Sequence, residues 1–269
     1  MVKVGAIIQV RLGSERLPGK ALLPLPFSGN ASLLEHVVTN ARSAKSLHQT
    51  IIATTTRSVD DAIEAFCNTT DIPCLRGSTD DVLERFRQAA YTYELDVIVR
   101  LTGDNPFVMP ETIDQAVAQL LNTGSDYMIT TGLPLGTNVE AFTRQALETA
   151  ASQATAAADR EHVTPFIRRE SGFKTQTLPF DSPISQLRLT VDYPTDYALA
   201  ALLFERLWKP DQPVTHEAIG QLLHEQPWLQ EINTVNSQRQ VFVSEEEELA
   251  AARKLLQAGG LTRALLKLG

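Results

Sequence analysis

Three cations and two glycines follow the first predicted strand of this chain. Residues 4–10, VGAIIQV, are almost entirely apolar, and the next ten, RLGSERLPGK, contain Arg11, Arg16 and Lys20. In open α/β sheets, ligands bind beyond the carboxyl ends of the strands, and glycines there let backbone N–H groups approach a ligand closely. Residues 11–20 therefore predict a site for an anionic group such as phosphate.

The spacing within this segment fits neither of two common phosphate motifs. It is not GxxxxGK[ST], which marks a P-loop, and it is not GxGxxG, which marks a dinucleotide-binding fold. A surface turn whose cations are solvated is the alternative that the segment by itself leaves open.

Aspartates follow two further apolar runs. Asp104 stands in VIVRLTGDNPFVMP and Asp192 in LRLTVDYPTDYAL, each directly after a predicted strand. Two such carboxylates can hold one Mg²⁺ together with phosphate oxygens, because Mg²⁺ prefers one or two carboxylates, phosphates and water. The alternatives are an Asx-turn or helix cap for Asp104, and a helix N-terminal charge for Asp196.

Strand-like runs alternate with helical patterns around these residues. Strands are predicted over 4–10, 50–55, 97–101, 127–131, 139–142 and 188–191, and helices over 110–122, 145–157 and 195–208. This alternation predicts a mostly parallel sheet covered by helices on both faces.

The chain shows no internal repeat, low-complexity tract or linker. We therefore predict a single domain over residues 1–269, with 210–269 as a mainly helical C-terminal extension. Ser244 precedes four glutamates, a strong signal for the start of a helix that we expect to run to Leu266.

Composition excludes several classes of function. A formal net charge of −8 argues against a general nucleic-acid binder, which needs a broad basic surface. Cys67 and Cys74 form no CxxC pair and are predicted to be reduced thiols. The residues before the first strand resemble no secretory signal, and the apolar runs are shorter than the roughly 20 residues that cross a bilayer. We expect a cytoplasmic protein with no nucleic-acid or membrane partner.

Several of these segments resemble the sugar-activating cytidylyltransferases. RLGSERLPGKAL is similar to the loop that wraps the triphosphate of CTP in that family, GDNP to its GDxP motif, and VDYPTD to its VDxPxD motif. LRGSTDDVLERF resembles the element that contacts the base and ribose. The family includes the synthetases of CMP-linked sialic-type acids and of CMP-linked 3-deoxy-manno-octulosonate, and a spore-coat polysaccharide branch.

The resemblance implies a nucleotide-diphospho-sugar transferase fold, a Rossmann-like three-layer α/β/α sandwich with a mostly parallel mixed sheet. It also implies roles for residues that match the family motifs. Nucleotide binding is expected from Arg11, Ser14, Arg16, Lys20, Arg76, Gly77 and Ser78, Mg²⁺ binding from Asp104 and Asp192, and catalysis from Arg11, Lys20 and Asp104. Val10 departs from the family, in which a smaller residue is common at this position, and Asn105 stands where many relatives carry another residue.

PLGTNVEAFT and REHVTPFIRR match the spore-coat branch better than the octulosonate enzymes. From this resemblance Glu140 and His162 are predicted to line the sugar pocket. Arg168 and Arg169 either receive a sugar carboxylate or are solvated helix arginines.

The implied reaction transfers CMP from CTP to a sugar acid of the nonulosonic or 3-deoxy-octulosonic type, with release of pyrophosphate, in surface polysaccharide biosynthesis. Relatives are often homodimers, and a homodimer is expected on that basis. The alternatives are another nucleotide-sugar-forming nucleotidyltransferase, a glycosyltransferase of similar fold, and a non-catalytic nucleotide-binding subunit.

Overall fold

A mixed sheet carries the segments of interest. The computed structural model of the chain describes residues 2–210, 212–236 and 245–267. Its strands are β1 (Val4–Gln9), β2 (Gln49–Thr55), β3 (Cys74–Gly77), β4 (Val97–Thr102), β5 (Tyr127–Thr131), β6 (Glu140–Thr143) and β7 (Thr175–Pro179), in the spatial order β3-β2-β1-β4-β6-β5-β7. β6 runs antiparallel to β4 and β5, whereas β1, β2, β3 and β4 pair in parallel.

Helices cover both faces of this sheet. They are α1 (Leu33–Ser43), α2 (Asp61–Thr69), α3 (Val82–Thr92), α4 (Pro110–Thr123), α5 (Arg144–Gln153), α6 (Ala157–His162), α7 (Pro165–Arg169), α8 (Pro194–Leu207) and α9 (His216–Glu225). Alternate residues of β1 face different cores: Ile8 packs with Leu34 of α1, and Ile7 packs in the cluster that contains Phe86 of α3. The predicted three-layer α/β/α sandwich is confirmed.

Burial on both sides explains why β1 is a continuous apolar run. Residues 4–8 are all buried, and β1 has a parallel strand on each side, β2 and β4. A strand in such a position has no solvent-facing side, so its sequence does not alternate between apolar and polar residues.

The chain divides into two compact units, Met1–Val235 and Asn236–Gly269. The second unit contains α10 (Glu245–Ala258) and α11 (Thr262–Leu265), and the predicted cap, Ser244, lies outside the described residues. Within the described part of the chain, no helix combines the length and apolar character needed to span a membrane.

The predicted strand over residues 188–191 is wrong. The segment is extended, but Leu189 N donates to Leu135 O at 2.9 Å and Val191 N donates to Asp104 O at 2.9 Å, so its partners come from two different parts of the chain. Such alternating partners produce one isolated bridge, between Leu135 and Arg188, instead of a ladder. The predicted helix over 145–157 is also interrupted, because α5 ends at Gln153 and α6 begins at Ala157.

Gly136 allows the connection between β5 and β6 to approach the 188–192 segment. Its φ is +95°, and a Cβ atom there would lie 2.7 Å from Thr190 N and 2.9 Å from Asn105 Oδ1. Both the positive φ and the close approach favour glycine at this position.

We predict that Gly136→Ala destabilises the fold by about 2–4 kcal/mol, because the new methyl group adds backbone strain and a clash with a backbone atom. Urea unfolding measures the change. Gly172→Ala is the matched control, since a Cβ at Gly172 meets nothing within 4 Å. An equal loss of stability in both variants would contradict this explanation.

Candidate active site

The ammonium group of Lys20 joins the two predicted acidic segments. Its Nζ donates to Asp104 Oδ2 at 2.7 Å and to Asp192 Oδ1 at 2.8 Å. Lys20 begins a 3₁₀ turn, Lys20–Leu22, and is itself buried. The segment after β1, the end of β4 and residue 192 therefore meet at one point.

The segment from Leu12 to Gly19 is fastened at both ends. Leu12 N donates to Asp60 Oδ1 at 2.7 Å, and Gly19 N donates to Leu12 O at 3.0 Å. Ser14 Oγ accepts from Leu17 N at 3.4 Å within the segment. The anchored loop leaves Arg11 exposed, and Arg11 forms no hydrogen bond or ion pair with any described residue.

Arg16 lies against the second acidic segment. Its Nη2 is 3.0 Å from Asp192 Oδ1, and its guanidinium carbon lies 4.7 Å from the centroid of the Tyr193 ring. Arg16 Nη1 also donates to the Tyr193 hydroxyl at 3.3 Å. Arg16 and Lys20 thus place two positive charges on the same carboxylate oxygen.

A short relay orients Asp104. Asn105 Nδ2 donates to Thr102 Oγ1 at 2.7 Å, and Thr102 Oγ1 donates to Asp104 Oδ1 at 2.6 Å. One oxygen of Asp104 is therefore held by Thr102 and the other by Lys20. Val10 packs in the core, against Gly103.

Asp192 is held by a second network that the sequence did not reveal. Arg188 Nη2 donates to Asp192 Oδ2 at 2.9 Å, and Arg188 Nε donates to Asp196 Oδ1 at 3.0 Å. Asp196 in turn accepts from the backbone N–H groups of Asp192 and Tyr193, both at 3.0 Å, and from Asn233 Nδ2 at 3.0 Å. The sequence signal for this network was the arginine four residues before Asp192, but residues 188–191 were predicted only as a strand.

The charges of this cluster reinforce one another. Although burial opposes it, the carboxylates of Asp104 and Asp192 raise the pKa of Lys20. Burial likewise opposes the ionised form of Asp192, but Lys20, Arg16 and Arg188 lower its pKa. Both groups are therefore charged at neutral pH.

Asp104 and Asp192 fit the donor set of a magnesium site. Each places a carboxylate oxygen within hydrogen-bond distance of one cationic nitrogen, Lys20 Nζ. Among the described residues, no group of three or more histidine, cysteine, aspartate or glutamate side chains is arranged to hold a metal ion. A metal bound here would therefore take further oxygen ligands from phosphate or water, which is the usual composition of Mg²⁺ sites.

The predicted nucleoside element ends β3 and precedes α3. Arg76 is occupied there: its Nη2 lies 2.7 Å from Asp61 Oδ1, its Nη1 lies 2.8 Å from Glu64 Oε2, and its Nε donates to Thr55 O at 2.9 Å. Gly77 is buried, and Ser78 Oγ accepts from the backbone before α3. The nucleotide-binding roles of Arg76, Gly77 and Ser78 stay predictions.

Glu140 is the centre of a separate buried network. Its Oε2 accepts from Arg100 Nη1 at 2.5 Å, and its Oε1 accepts from the Tyr127 hydroxyl at 2.5 Å and from Thr164 Oγ1 at 2.7 Å. Although burial opposes it, Arg100 and the two hydroxyl donors lower the pKa of Glu140. The carboxylate is therefore fully engaged by the protein, and its contact with a sugar stays a prediction.

His162 lies next to this network, at a strained turn. Val163 has a φ of +72°, and Thr164 N donates to His162 O at 2.8 Å across it. A positive φ is unfavourable for a β-branched residue. Thr164, which follows this turn, donates to Glu140, and the His162 side chain is half-buried.

The two neighbouring arginines of α7 differ in their contacts. Arg169 Nη2 donates to Asp159 Oδ2 at 2.8 Å, and the Asp159 side chain is only 3% exposed. The side chain of Arg168 is exposed and forms no hydrogen bond or ion pair with any described residue. Arg169 is therefore a structural residue, whereas Arg168 is available to a ligand.

A separate cavity of about 730 Å³ lies between α9 and the segment 180–187. None of the predicted site residues lines it. The cavity therefore does not bring further groups to the cluster around Lys20.

Comparison with protein families and curated proteins gives a consistent match. The cytidylyltransferase family model matches residues 5–250. The spore coat polysaccharide biosynthesis protein SpsF of Bacillus subtilis is 37% identical over 210 residues, covering 74% of this chain and 85% of that protein. A 3-deoxy-manno-octulosonate cytidylyltransferase of Pelobacter propionicus is 32% identical over 132 residues, covering 48% of this chain and 49% of that protein.

A solved structure extends this similarity to the fold. The structure of a cytidylyltransferase from Leptospira borgpetersenii superposes with a TM-score of 0.80 and 28% sequence identity, covering 88% of this chain and 100% of that chain.

We predict that Lys20→Met destabilises the protein by about 2 kcal/mol at neutral pH, because it leaves two carboxylates facing each other without the shared cation. The pKa of Asp192 is lowered from an ordinary 3.8 and that of Lys20 is raised from an ordinary 10.5. The difference from wild type is therefore fully present between these values, and it shrinks as the pH falls through the folded pKa of Asp192 or rises through that of Lys20.

Urea unfolding over a range of pH measures this difference. Lys45→Met, at an exposed lysine of the same charge, is the control. A loss of stability in Lys20→Met that stays constant from neutral to strongly acidic pH would contradict the assigned contacts.

Proposed function

Because the chain belongs to the cytidylyltransferase family, we propose that it transfers the cytidylyl group of CTP to a sugar acid and releases pyrophosphate. The acceptor is of the nonulosonic or 3-deoxy-octulosonic class, and the product serves surface polysaccharide biosynthesis. The observation that carries the proposal is the cluster in which Lys20 and Arg16, from the segment after β1, meet Asp192 and the Asp104 that follows β4.

The proposed reaction is an in-line displacement at the α-phosphorus. The acceptor hydroxyl oxygen forms a bond to this phosphorus, its proton is lost, and the bond to the oxygen that bridges to the β-phosphorus breaks. Such a reaction depends on positioning and on neutralising negative charge more than on a covalent nucleophile. A cluster of cations held in place by carboxylates suits these demands.

The loop after β1 is proposed to hold the triphosphate. Arg11 is exposed and has no partner among the described residues, so its guanidinium is available to phosphate oxygens. Arg16 and Lys20 are held by Asp192 and contribute positive charge at the same edge of the sheet. Arginine also matches phosphate geometry with two parallel hydrogen bonds.

Asp104 and Asp192 are proposed to hold Mg²⁺ together with phosphate oxygens. When bound, the ion would neutralise charge on the reacting and leaving phosphoryl groups. Thr102 and Arg188 orient the two carboxylates for this role, since each donates to an oxygen that Lys20 leaves unoccupied.

The acceptor carboxylate is proposed to bind Arg168. This guanidinium is exposed on α7. Burial and Glu140 raise the pKa of Tyr127, a member of the Glu140 network, and the positive charge of Arg168 acts to lower it. Arg168 is therefore an unpaired cation whose charge acts on the Glu140 network. An arginine can bind a carboxylate through two parallel hydrogen bonds.

Pyrophosphate release tests the proposal. We expect the chain with Mg²⁺ to release pyrophosphate from CTP, but not from ATP, GTP or UTP, when a panel of keto-sugar acids includes its acceptor. Asp104→Ala should lower the rate about a hundredfold or more, because a group that helps neutralise the reacting phosphates is lost. Glu111→Ala, at an exposed acid on α4, should leave the rate unchanged.

Each alternative function predicts a different outcome of this assay. A preference for ATP or UTP would contradict the cytidylyl assignment, and CTP binding without turnover on any acceptor would favour a non-catalytic subunit. Turnover by Asp104→Ala at the wild-type rate would show that Asp104 has no role in the reaction.

The two arginines of α7 provide a matched pair for the acceptor site. We predict that Arg168→Met raises the KM for the acceptor about tenfold or more, with the KM for CTP and the Tm unchanged, because a charge-assisted hydrogen bond is lost. Arg169→Met should lower the Tm without changing either KM, because it leaves the buried carboxylate of Asp159 unpaired. The reverse pattern would place the acceptor carboxylate on Arg169.

A further inference from the structure

Arg85 of α3 is a buried cation without a partner. The residue is 3% exposed, and its Nε and Nη1 are buried and have no hydrogen-bond partner. It also forms no ion pair with any residue that the structure describes. A guanidinium taken out of water without compensating hydrogen bonds is unfavourable, so its retention here needs a reason.

Arg85 lies at the edge of the sheet that carries the proposed triphosphate loop. A Cβ on Gly77, the last residue of β3, would lie 2.7 Å from Arg85 Cγ, so the arginine stem packs directly over the end of this strand. The pKa of Arg85 is lowered mainly by burial and, to a smaller extent, by the positive charge of Arg11. The negative charges of Asp60 and Asp81 act to raise it.

Asp60, whose negative charge acts on Arg85, accepts no hydrogen bond from the buried Nε and Nη1 of that arginine. Oδ1 of Asp60 accepts from Leu12 N at 2.7 Å, and Oδ2 accepts from the Thr55 hydroxyl. The donors of Arg85 thus stay unpaired beside a buried carboxylate. An acceptor from outside the chain would pair them.

The strand order places Arg85 about one nucleoside length away from the cluster around Lys20. The cluster around Lys20 lies where β1 meets β4, and β2 and β3 follow β1 on the other side. Neighbouring strands are about 4.8 Å apart, so the end of β3 lies roughly 10 Å from β1. This is comparable to the reach from the α-phosphate of a nucleotide through its ribose to the base.

We propose that Arg85 reads the cytosine base of CTP. A guanidinium offers several N–H donors and no acceptor. The pairing edge of cytosine carries two adjacent acceptors, O2 and N3, whereas N3 of uracil is a donor. Two neighbouring N–H donors of Arg85 can therefore both bond to cytosine, whereas with uracil one of them would face another donor. This inference rests on the proposed use of CTP.

The proposal also assigns different roles to the two arginines of LRGSTDDVLERF. Arg76 is already bound by Asp61 and Glu64 and holds α2 against β3. Arg85 is the arginine of this segment whose donors lack partners, and it contacts the base.

Nucleotide affinities of the Arg85→Met and Arg85→Lys variants test the proposal. Isothermal titration of the full chain with CTP and UTP should show a preference of the wild type for CTP. Arg85→Met should bind CTP about tenfold to a hundredfold more weakly, with UTP binding little changed, because hydrogen bonds from a charged donor are lost. Arg85→Lys keeps the charge but loses the planar pair of donors, so its preference for CTP should also fall.

Thermal unfolding of the unliganded protein separates this role from a structural one. Arg85→Met should keep or raise the Tm, because an uncompensated buried charge is replaced by an apolar side chain. Arg87→Met is the matched control on the same helix: Arg87 pairs with Glu84 on the surface, and its loss should leave the CTP preference unchanged.

Three results would overturn the proposal. One is an unchanged CTP preference in both Arg85 variants. Another is an equal loss of CTP, UTP and pyrophosphate binding, which would assign Arg85 to the phosphates. The third is a lower Tm with an intact preference, which would make Arg85 structural. If the wild type binds no CTP, the proposed function itself fails, and that failure is visible before any variant is compared.

Discussion

The contact between Lys20 and the carboxylates of Asp104 and Asp192 is the interaction on which the rest of the site depends. Two carboxylates this close repel each other unless a cation lies between them, and the partly buried setting strengthens both the repulsion and its relief. Arg16 and Arg188 add positive charge on Asp192 and make the balance favourable. In a chain with a net charge of −8, three cations thus hold these two acidic groups together.

Backbone contacts also hold the two acidic segments in place. Val191 N donates to Asp104 O at 2.9 Å, so the two acidic segments are joined independently of their side chains. Gly136 allows the neighbouring loop to pack against Thr190 and Asn105, and Asn105 supports Thr102. The carboxylates consequently lie on backbone segments that are bonded to each other, whereas the cations Arg11 and Arg16 are exposed on the loop after β1. A rigid set of acids beside a more exposed set of bases is well suited to admit a large polyanion and then fix its reacting end.

Much of this arrangement could be predicted from sequence because buried parallel strands are continuous apolar runs. That signal identified β1, β2 and β4, and the polar residues after β1 and β4 followed directly. It failed for β3, which is only four residues long, and for β7, whose residues are mostly exposed. It also misassigned residues 188–191, since an apolar extended segment has the same pattern whether its partners form one ladder or come from two separate places. The hydrophobic pattern of a segment indicates that it is buried, but only the tertiary structure shows which backbone groups it pairs with.

Arg76 and Arg85 show why the functional reading of a charge requires the fold. Both belong to one short segment, and Arg76 was the predicted nucleotide contact because this segment resembles the family element that contacts the base and ribose. In the folded chain Arg76 has two carboxylates and two backbone carbonyls as partners, so little of its hydrogen-bonding capacity is left for a ligand. Arg85 lies among the buried residues of α3, and burial without partners is a state that folding alone does not favour. A paired arginine stabilises the protein that contains it. An unpaired buried one lowers stability, and its persistence is most simply explained by a ligand that completes its hydrogen bonds.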